Sequence, residues 1–538
     1  MPPSSLRSLL PGASDGPFGT VGAQLPWGSP ASAGPLNDID VLVLGLGESG
    51  LAMARWCAAQ GARVQVWDSR EAPPQAAALA LAAPEARLFS GDLSNELLTS
   101  VRLVLKSPGL APHDSRIAPL LAAAGAAGIP VQGELALFSQ ALAELKAERG
   151  YAPQLLAITG TNGKTTTTAM TALLVERAGR SVALAGNIGP TMLDTLSECL
   201  AATLPEVWVL ELSSFQLDGA QGFEPDAATV LNISQDHLDW HGGMAAYIAA
   251  KARIFGATTM MVVNRDDAAT LAMVPAPVQV KGGRGQRSKL VHRAVTQFGV
   301  DAPQRPGDFG LTVENGMAWL VRALPAEESG SQDIHIQRLM PADALRVRGR
   351  HNAANALAAL ALATAIGCPL GPMLHALRDY HGEPHRVTFV ANIGGVEAFD
   401  DSKGTNVGAT VAALLGLGAD KSPAKLVVIL GGDGKGQDFS PLAEPVARYV
   451  RAVALIGRDA AAIGEVLKPV CRDAGLTLAQ HASLADAVPW CFAQAKSGDA
   501  VLLSPACASL DQFRNYGHRA EVFVQAAQAL AAERGEVV

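Results

Sequence analysis

Ile158-Thr159-Gly160-Thr161-Asn162-Gly163-Lys164-Thr165-Thr166 is the stretch on which the fold turns. The apolar run Leu155-Leu156-Ala157-Ile158 leads into it and a helical pattern from near Thr166 leads out, so it reads as strand, loop, helix. Such a loop points backbone N–H groups and a helix N-terminus at phosphates, with Lys164 as a mobile cation and Thr165 as a magnesium ligand. Ile158 stands where the GxxxxGK[ST] pattern has its first glycine, which makes this a shorter variant. A plain glycine turn with an incidental lysine is the bland alternative, and it leaves the flanking strand and helix without a purpose. Glu211, which ends the apolar run Val207 to Leu210, either delivers a carboxylate to a metal beside the loop or caps the helix that follows.

Upstream, Val41 to Leu44 runs into Gly45-Leu46-Gly47-Glu48-Ser49-Gly50, a helical pattern follows to Gln60, and the strand Arg63 to Trp67 ends at Asp68. This matches the GxGxxG dinucleotide fingerprint. The same turn accepts any phosphate or sugar-nucleotide that meets a helix terminus, and a hydride-transfer enzyme has no use for a second nucleotide loop in the next domain. An NAD-dependent oxidoreductase and a non-catalytic nucleotide-binding regulator are therefore the weaker alternatives.

Strands alternating with helices predict three α/β units: a Rossmann-like domain over 38–147, a central domain of P-loop ATPase type over 148–382, and a Rossmann-like α/β domain over 383–538. Residues 1–37, dense in Pro, Gly and Ser, read as a disordered extension, and Leu9-Leu10 is too short for a signal-peptide core. Between about 281 and 344 the periodicity fades, which predicts a peripheral insertion in the central domain. The chain of 538 residues is 49% hydrophobic with a net charge of -8, a composition of a globular enzyme with no electrostatic footprint for nucleic acid. Six cysteines without a CxxC pair indicate buried thiols in a reducing, cytoplasmic setting. No apolar run reaches the roughly 18 to 20 residues of a membrane helix.

Further polar motifs sit at the starts of elements and at domain junctions, where ligands bind. They are Asp236-His237-Leu238-Asp239, the helix face of Tyr247, Lys251 and Phe255, His351 to Asn355, Pro384-His385-Arg386, Asp400-Asp401-Ser402-Lys403-Gly404-Thr405-Asn406, Gly431 to Gly436, and Leu503 to Phe513. In isolation His237 is a loop histidine and Lys251 an exposed helix lysine.

Taken in this order, the motifs resemble the Mur ligases over about 39–530, with ELSSFQL, DDSKGTN, GGDGKG and LLSPACASLDQF similar to the D-glutamate-adding branch. The resemblance implies a monomeric three-domain enzyme of peptidoglycan precursor synthesis that binds UDP-N-acetylmuramoyl-L-alanine, ATP and D-glutamate in its first, second and third domains. Another Mur ligase or a folylpolyglutamate-type ligase is the nearest alternative. It implies that Glu48, Ser49, Asp68, Ser69, Arg70 and Asn187 contact the UDP substrate. Gly160, Thr161, Asn162, Gly163, Lys164, Thr165, Thr166, Asn355, His385, Arg386 and Asp401 would hold ATP. Two magnesium sites would use Thr165, Glu211, His237 and a carbamylated Lys251. Lys164, His237, Lys251 and Lys403 would be catalytic, and Thr405, Lys435, Ser509, Leu510 and Tyr516 would bind D-glutamate. Tyr516 departs from the family pattern, which has phenylalanine there.

Overall fold

A computed structural model of the chain describes residues 35–280, 289–326, 334–347 and 349–536. The expected disordered extension therefore lies almost wholly outside the described residues; its last part, from 35 onward, makes a turn that packs Leu36 on the first core.

The first sheet is all parallel, in the order β3-β2-β1-β4-β5, from β1 (Asp40–Leu44), β2 (Arg63–Trp67), β3 (Arg87–Phe89), β4 (Leu103–Lys106) and β5 (Val131–Gln132). Val41 to Leu44 are 0% exposed because helices cover both faces, which is why the strand is continuously apolar rather than alternating. The turn after β1 needs its glycines. A Cβ on Gly50 would stand 1.9 Å from the Gly45 carbonyl oxygen, so the helix Glu48–Ala59 can start this close to the strand only with glycine there. Asp68 holds the same turn from β2. Its Oδ2 accepts the Leu46 N–H at 2.7 Å, and Arg70 Nε donates to Oδ1 at 2.8 Å.

The central sheet is also parallel: β6 (Gln154–Thr159), β7 (Val182–Gly186), β8 (Val207–Glu211), β9 (Ala227–Val230), β10 (Met260–Asn264) and, beyond the hairpin β11 (Val278–Val280) and β12 (Lys289–Val291), β13 (Val295–Phe298), in the order β13-β10-β9-β6-β8-β7. This corrects the expectation of a peripheral insertion over 281–344. β13 completes the central sheet by pairing with β10, and β14 (Phe309–Glu314), β15 (Met317–Pro325) and β16 (Ile334–Pro341) form an antiparallel sheet. Phe309, Leu320 and Met340 of that sheet join the core of Leu156 and Ile158. The strand is hard to read because Thr296 and Phe298 face inward while Gln297 lies between them, giving two polar residues in four.

The third sheet runs β17-β18-β22-β19-β20-β21, from β17 (Thr388–Ile393), β18 (Val396–Asp400), β19 (Leu426–Gly431), β20 (Val450–Ile456), β21 (Thr477–Gln480) and β22 (Ala500–Leu503); β17 alone is antiparallel to its neighbour. The first two units share one core, in which Phe138 meets Trp208 edge-on at 5.0 Å.

Asp68 makes the first unit sensitive to acid. Burial raises its carboxyl, but the Arg70 guanidinium and two backbone N–H groups outweigh that and bring it to about 2, below the ordinary value of 3.8. A carboxylate depressed in the folded state stabilises fully above its unfolded pKa and loses that contribution as the pH falls through the folded one. Thermal melts of Asp68→Asn beside the unaltered chain should show a lower midpoint for the variant at pH 7, and the gap should close between about pH 4 and pH 2. A gap independent of pH would contradict the charged role.

Candidate active site

The loop Gly160–Thr165 lies at the carboxyl end of β6 and is fixed from β9. Asn232 accepts the Asn162 N–H through Oδ1 at 2.9 Å and donates from Nδ2 to the Asn162 carbonyl at 3.0 Å, while the Thr161 N–H reaches the Asn232 carbonyl at 2.9 Å. Thr161 Oγ1 also lies 2.9 Å from the Tyr247 hydroxyl. Gly163 has φ +83°, and a Cβ there would meet Asn355 Oδ1 at 2.6 Å, so the loop closes on the helix Arg350–Ala365 only as glycine. The helix Lys164–Arg177 begins at Lys164, two residues earlier than the pattern suggested, which aims its first N–H groups into the loop.

Two lysines meet at this loop. Lys164 Nζ donates to the carbonyls of Gly160 and Thr161, each at 2.9 Å. Lys251 is 1% exposed, and its Nζ donates to the same Gly160 carbonyl at 2.8 Å and to Thr159 Oγ1 at 3.2 Å. It is therefore a buried lysine rather than an exposed one. Burial first, and then the Lys164 charge, hold the Lys251 amine well below the usual lysine range. Burial also lowers Lys164, against the opposing pull of Glu211 and Asp236.

His237 follows β9 in a left-handed conformation, φ 54°, with its ring 4.6 Å from that of Phe215. Burial brings its imidazole to about 4, which keeps it neutral and able to act as a ligand. Glu211 is 3% exposed at the end of β8 and accepts from Asn187 Nδ2 at 3.0 Å. Asn187 therefore holds the carboxylate expected at the metal, an arrangement that the motif Gly186-Asn187-Ile188-Gly189 does not reveal. Among the described residues no three His, Cys, Asp or Glu side chains cluster as a ready-made metal cage. Thr165 within the loop, Glu211 at the end of β8, His237 after β9 and Lys251 on the Gly160 carbonyl instead lie around the start of the helix Lys164–Arg177, and the hydroxyl, carboxylate and neutral imidazole among them are donor types that suit a divalent cation.

The third unit closes over this loop. Arg386 Nη2 donates to Thr165 Oγ1 at 2.6 Å, and Asn162 and Asn406 exchange amide hydrogen bonds at 3.1 and 2.9 Å. Lys435 Nζ stands 3.6 Å from Asp236 Oδ1. Between the units lies a cavity of about 470 Å³ lined by Asn162, Thr166, Asn355, Arg386, Asp401 and Lys403 with others. Asp401 accepts from Ser504 Oγ at 2.7 Å, and burial pushes its carboxyl up to about 7. His385 Nδ1 lies 2.6 Å from Asp400 Oδ2. Lys403, brought to about 8 by burial and by Arg386, places Nζ 3.7 Å from the centroid of the Tyr516 ring. His237, His385, Val387, Lys435 and Ala506 are five of the seven non-glycine residues with positive φ among the described residues, so local backbone strain gathers at these loops.

Of the residues expected at the sugar-nucleotide, Glu48, Ser49, Asp68, Ser69 and Arg70 line a separate recess of about 600 Å³ together with Ser107 and others, whereas Asn187 lies apart from it on Glu211. Asp68 there is occupied by Leu46 and Arg70, so it holds the turn together, whereas a dinucleotide reading would place it on a ribose hydroxyl. The expected D-glutamate residues are more dispersed. Lys435 pairs with Asp236, Tyr516 packs on Lys403, Thr405 is half-buried with its N–H on the Lys403 carbonyl, Ser509 is 4% exposed and Leu510 is 73% exposed. Asn232, Asn406 and Tyr247 complete the site without having been assigned a role from the sequence, because their partners are distant in the chain.

Comparison with known proteins agrees with this geometry. The models for the Mur ligase MurD-like N-terminal domain, the Mur ligase middle domain and the Mur ligase glutamate ligase domain match residues 39–133, 158–301 and 385–507. The UDP-N-acetylmuramoylalanine–D-glutamate ligase of Albidiferax ferrireducens is 62% identical over 509 residues, covering 93% of this chain and 98% of the relative. That of Burkholderia mallei is 58% identical over 512 residues, covering 92% and 98%. Among solved structures, MurF ligase of Thermotoga maritima in complex with ADP shares the fold at a TM-score of 0.53 and 16% identity, covering 93% of this chain and 96% of that one. Sequence kinship over nearly the whole length and three domain matches in the same order place the chain in the Mur ligase family, among the UDP-N-acetylmuramoylalanine–D-glutamate ligases.

Proposed function

We propose that the chain joins D-glutamate to UDP-N-acetylmuramoyl-L-alanine in an ATP-dependent reaction of peptidoglycan precursor synthesis. The observation that carries this reading is the 62% identity to a D-glutamate ligase over 98% of that relative's length. The chain works as a monomer on cytoplasmic solutes. Among the described residues no helix is long and apolar enough to cross a membrane.

The L-alanyl carboxylate of the sugar-nucleotide attacks the γ-phosphate of ATP, forming an acyl phosphate and releasing ADP. The amine of D-glutamate then attacks the acyl carbon, phosphate leaves, and the amide is made. Phosphoryl transfer of this kind asks the protein for position and charge rather than for a nucleophile. The loop Gly160 to Thr166 cradles the phosphates, Lys164 swings from its carbonyl partners onto them, and Asn355, His385, Arg386 and Asp401 hold the remainder of the nucleotide. Magnesium, when bound, neutralises developing phosphoryl charge, and Thr165, Glu211, His237 and Lys251 are its proposed ligands at two sites. Lys403 sits beside Arg386 and steadies the charge that develops as the bond to the leaving group breaks.

Lys251 serves that purpose as a carbamate. Burial lowers the Lys251 amine from the usual lysine range, and in its unprotonated form such an amine can add to carbon dioxide and lose a proton, which puts a carboxylate-like ligand where the lysine nitrogen stood. Glu48, Ser49, Asp68, Ser69, Arg70 and Asn187 orient the sugar-nucleotide, with Asp68 acting by fixing the turn. Thr405, Lys435, Ser509, Leu510 and Tyr516 receive D-glutamate, for which Lys435 and Lys403 supply cations. The arginine and asparagine bridges between Arg386 and Thr165 and between Asn162 and Asn406 close the third domain over the loop, which shields the acyl phosphate from water.

A coupled ADP-release assay with UDP-N-acetylmuramoyl-L-alanine and ATP, offered D-glutamate, L-lysine, diaminopimelate or L-alanine in turn, should give turnover with D-glutamate alone. Absence of D-glutamate-dependent ADP release would overturn the assignment. For Lys251→Ala, kcat should fall by at least about 10²-fold, the scale of one preorganised charge-stabilising group, and added acetate or formate should restore part of it. Full activity without rescue would remove the carbamate.

A further inference from the structure

Glu134 opens the helix Glu134–Arg149 and is 2% exposed, enclosed where the first unit packs on the central one. An acidic residue at a helix start ordinarily faces water and the helix's own N–H groups. Here Glu134 Oε1 instead accepts the Leu193 N–H at 3.1 Å, from the first turn of the helix Met192–Ala201 in the central unit. The Met192 N–H and the Ser49 hydroxyl also face the carboxylate, Ser49 belonging to the glycine turn of the sugar-nucleotide recess. Oε2 has no hydrogen-bond partner among the described residues. Burial pushes this carboxyl up to about 7.

A buried carboxylate with too few donors costs stability that an apolar side chain of similar size would not. Packing alone does not call for it, since Phe138 and Trp208 already fill the interface and Arg55 pairs with Asp194 at 3.3 Å along its edge. What the carboxylate touches is more informative. The helix it holds is preceded directly by the loop Gly186–Thr191, which closes on itself through the Gly186 N–H and the Pro190 carbonyl at 3.0 Å. In that loop Asn187 grips Glu211 twice, from Nδ2 to Oε1 at 3.0 Å and from its N–H to the Glu211 carbonyl at 2.7 Å. Ser49, Glu134, the start of the helix at Met192, Asn187 and Glu211 therefore follow one another across the interface, Ser49 facing the Glu134 carboxylate, Leu193 and Asn187 donating to Glu134 and Glu211, and the short chain from 187 to 193 joining the two bonds.

We propose that Glu134 is a positioning residue that ties the sugar-nucleotide turn to the loop orienting Glu211, so that filling one site tightens the other. This rests on the reading of the two sites given above. When a sugar-nucleotide diphosphate settles on the turn at Ser49, the Glu134 carboxylate is drawn onto fewer alternatives and holds the Leu193 N–H more firmly. The loop Gly186–Thr191 then fixes Glu211 for the metal-bound nucleotide. The hydrogen-bond acceptor matters here, and the negative charge does not.

The test is calorimetric titration of the full chain with ADP and magnesium, with and without saturating UDP-N-acetylmuramoyl-L-alanine, on the unaltered chain and on Glu134→Met, Glu134→Ala and Glu134→Gln, each first shown by melting to be folded. The unaltered chain should bind ADP·Mg at least about fivefold more tightly when the sugar-nucleotide is present, the lower end of ordinary site–site coupling. In either acceptor-less variant the ratio should fall to about one while each ligand still binds alone, and Glu134→Gln should keep the ratio within about twofold. A ratio of one in the unaltered chain, an undiminished ratio in Met or Ala, or its loss in Gln would each overturn the proposal. Failure of the unaltered chain to bind the sugar-nucleotide at all would instead overturn the functional reading beneath it.

Discussion

The Gly160 carbonyl takes hydrogen bonds from two lysines, and most of the site is arranged around that crowding of positive charge. Lys164 comes from the helix that follows the loop and Lys251 from a helix beyond β9, so β6 and β9 must lie side by side for the two to meet. Burying amines this way is unfavourable unless something supplies negative charge. Glu211 and Asp236 supply part of it through space. In the function proposed above a polyphosphate supplies the rest, and Arg386, arriving from the third unit, adds a further cation over Thr165. The same loop is thus costly by itself and suited to an anionic ligand.

Folding and catalysis pull in different directions at this place. Buried cations, an Asp401 carboxyl raised to about 7 and five left-handed non-glycine residues all detract from stability. The surrounding architecture offsets them with three sheets whose central strands are buried and largely apolar and with a helix, Arg350–Ala365, buried along most of its length. The loops at the carboxyl ends of the strands can carry strained, charged residues because the strands beneath them are buried and paired within the sheets. Bridges such as Asn162 to Asn406 join the third unit to the loop.

Much of this was legible in the chain. The loop at 160–165, the glycine turn at 45–50 and the strands that feed them follow from local periodicity and from glycine positions that backbone approach demands. The motif set also singled out Glu211, His237, Lys251, Arg386 and Lys403, which stand at strand ends, loops and a helix around the Gly160–Thr165 loop. Other features were hidden for physical reasons. β13 carries Thr296 and Gln297 and so lacks an apolar signature, although its pairing with β10 makes it part of the central sheet. Lys251 reads as a surface lysine because a helix face of Tyr247, Lys251 and Phe255 does not reveal what covers it. Asn232 and Glu134 act on groups 70 and 59 residues away, and no local pattern encodes such a partner. Asp68 was expected at the sugar-nucleotide, and its further hold on the turn through Leu46 and Arg70 is a partnership that the sequence does not show.

The most direct measurement is hydrogen–deuterium exchange of the full chain, read by mass spectrometry, before and after addition of ADP with magnesium. Protection should appear first in the peptides spanning residues 158–167 and 383–405, where the loop and the third unit meet. Unchanged exchange at 158–167, or protection confined to 45–50 and produced equally by NADH, would contradict an adenine nucleotide held by the central loop.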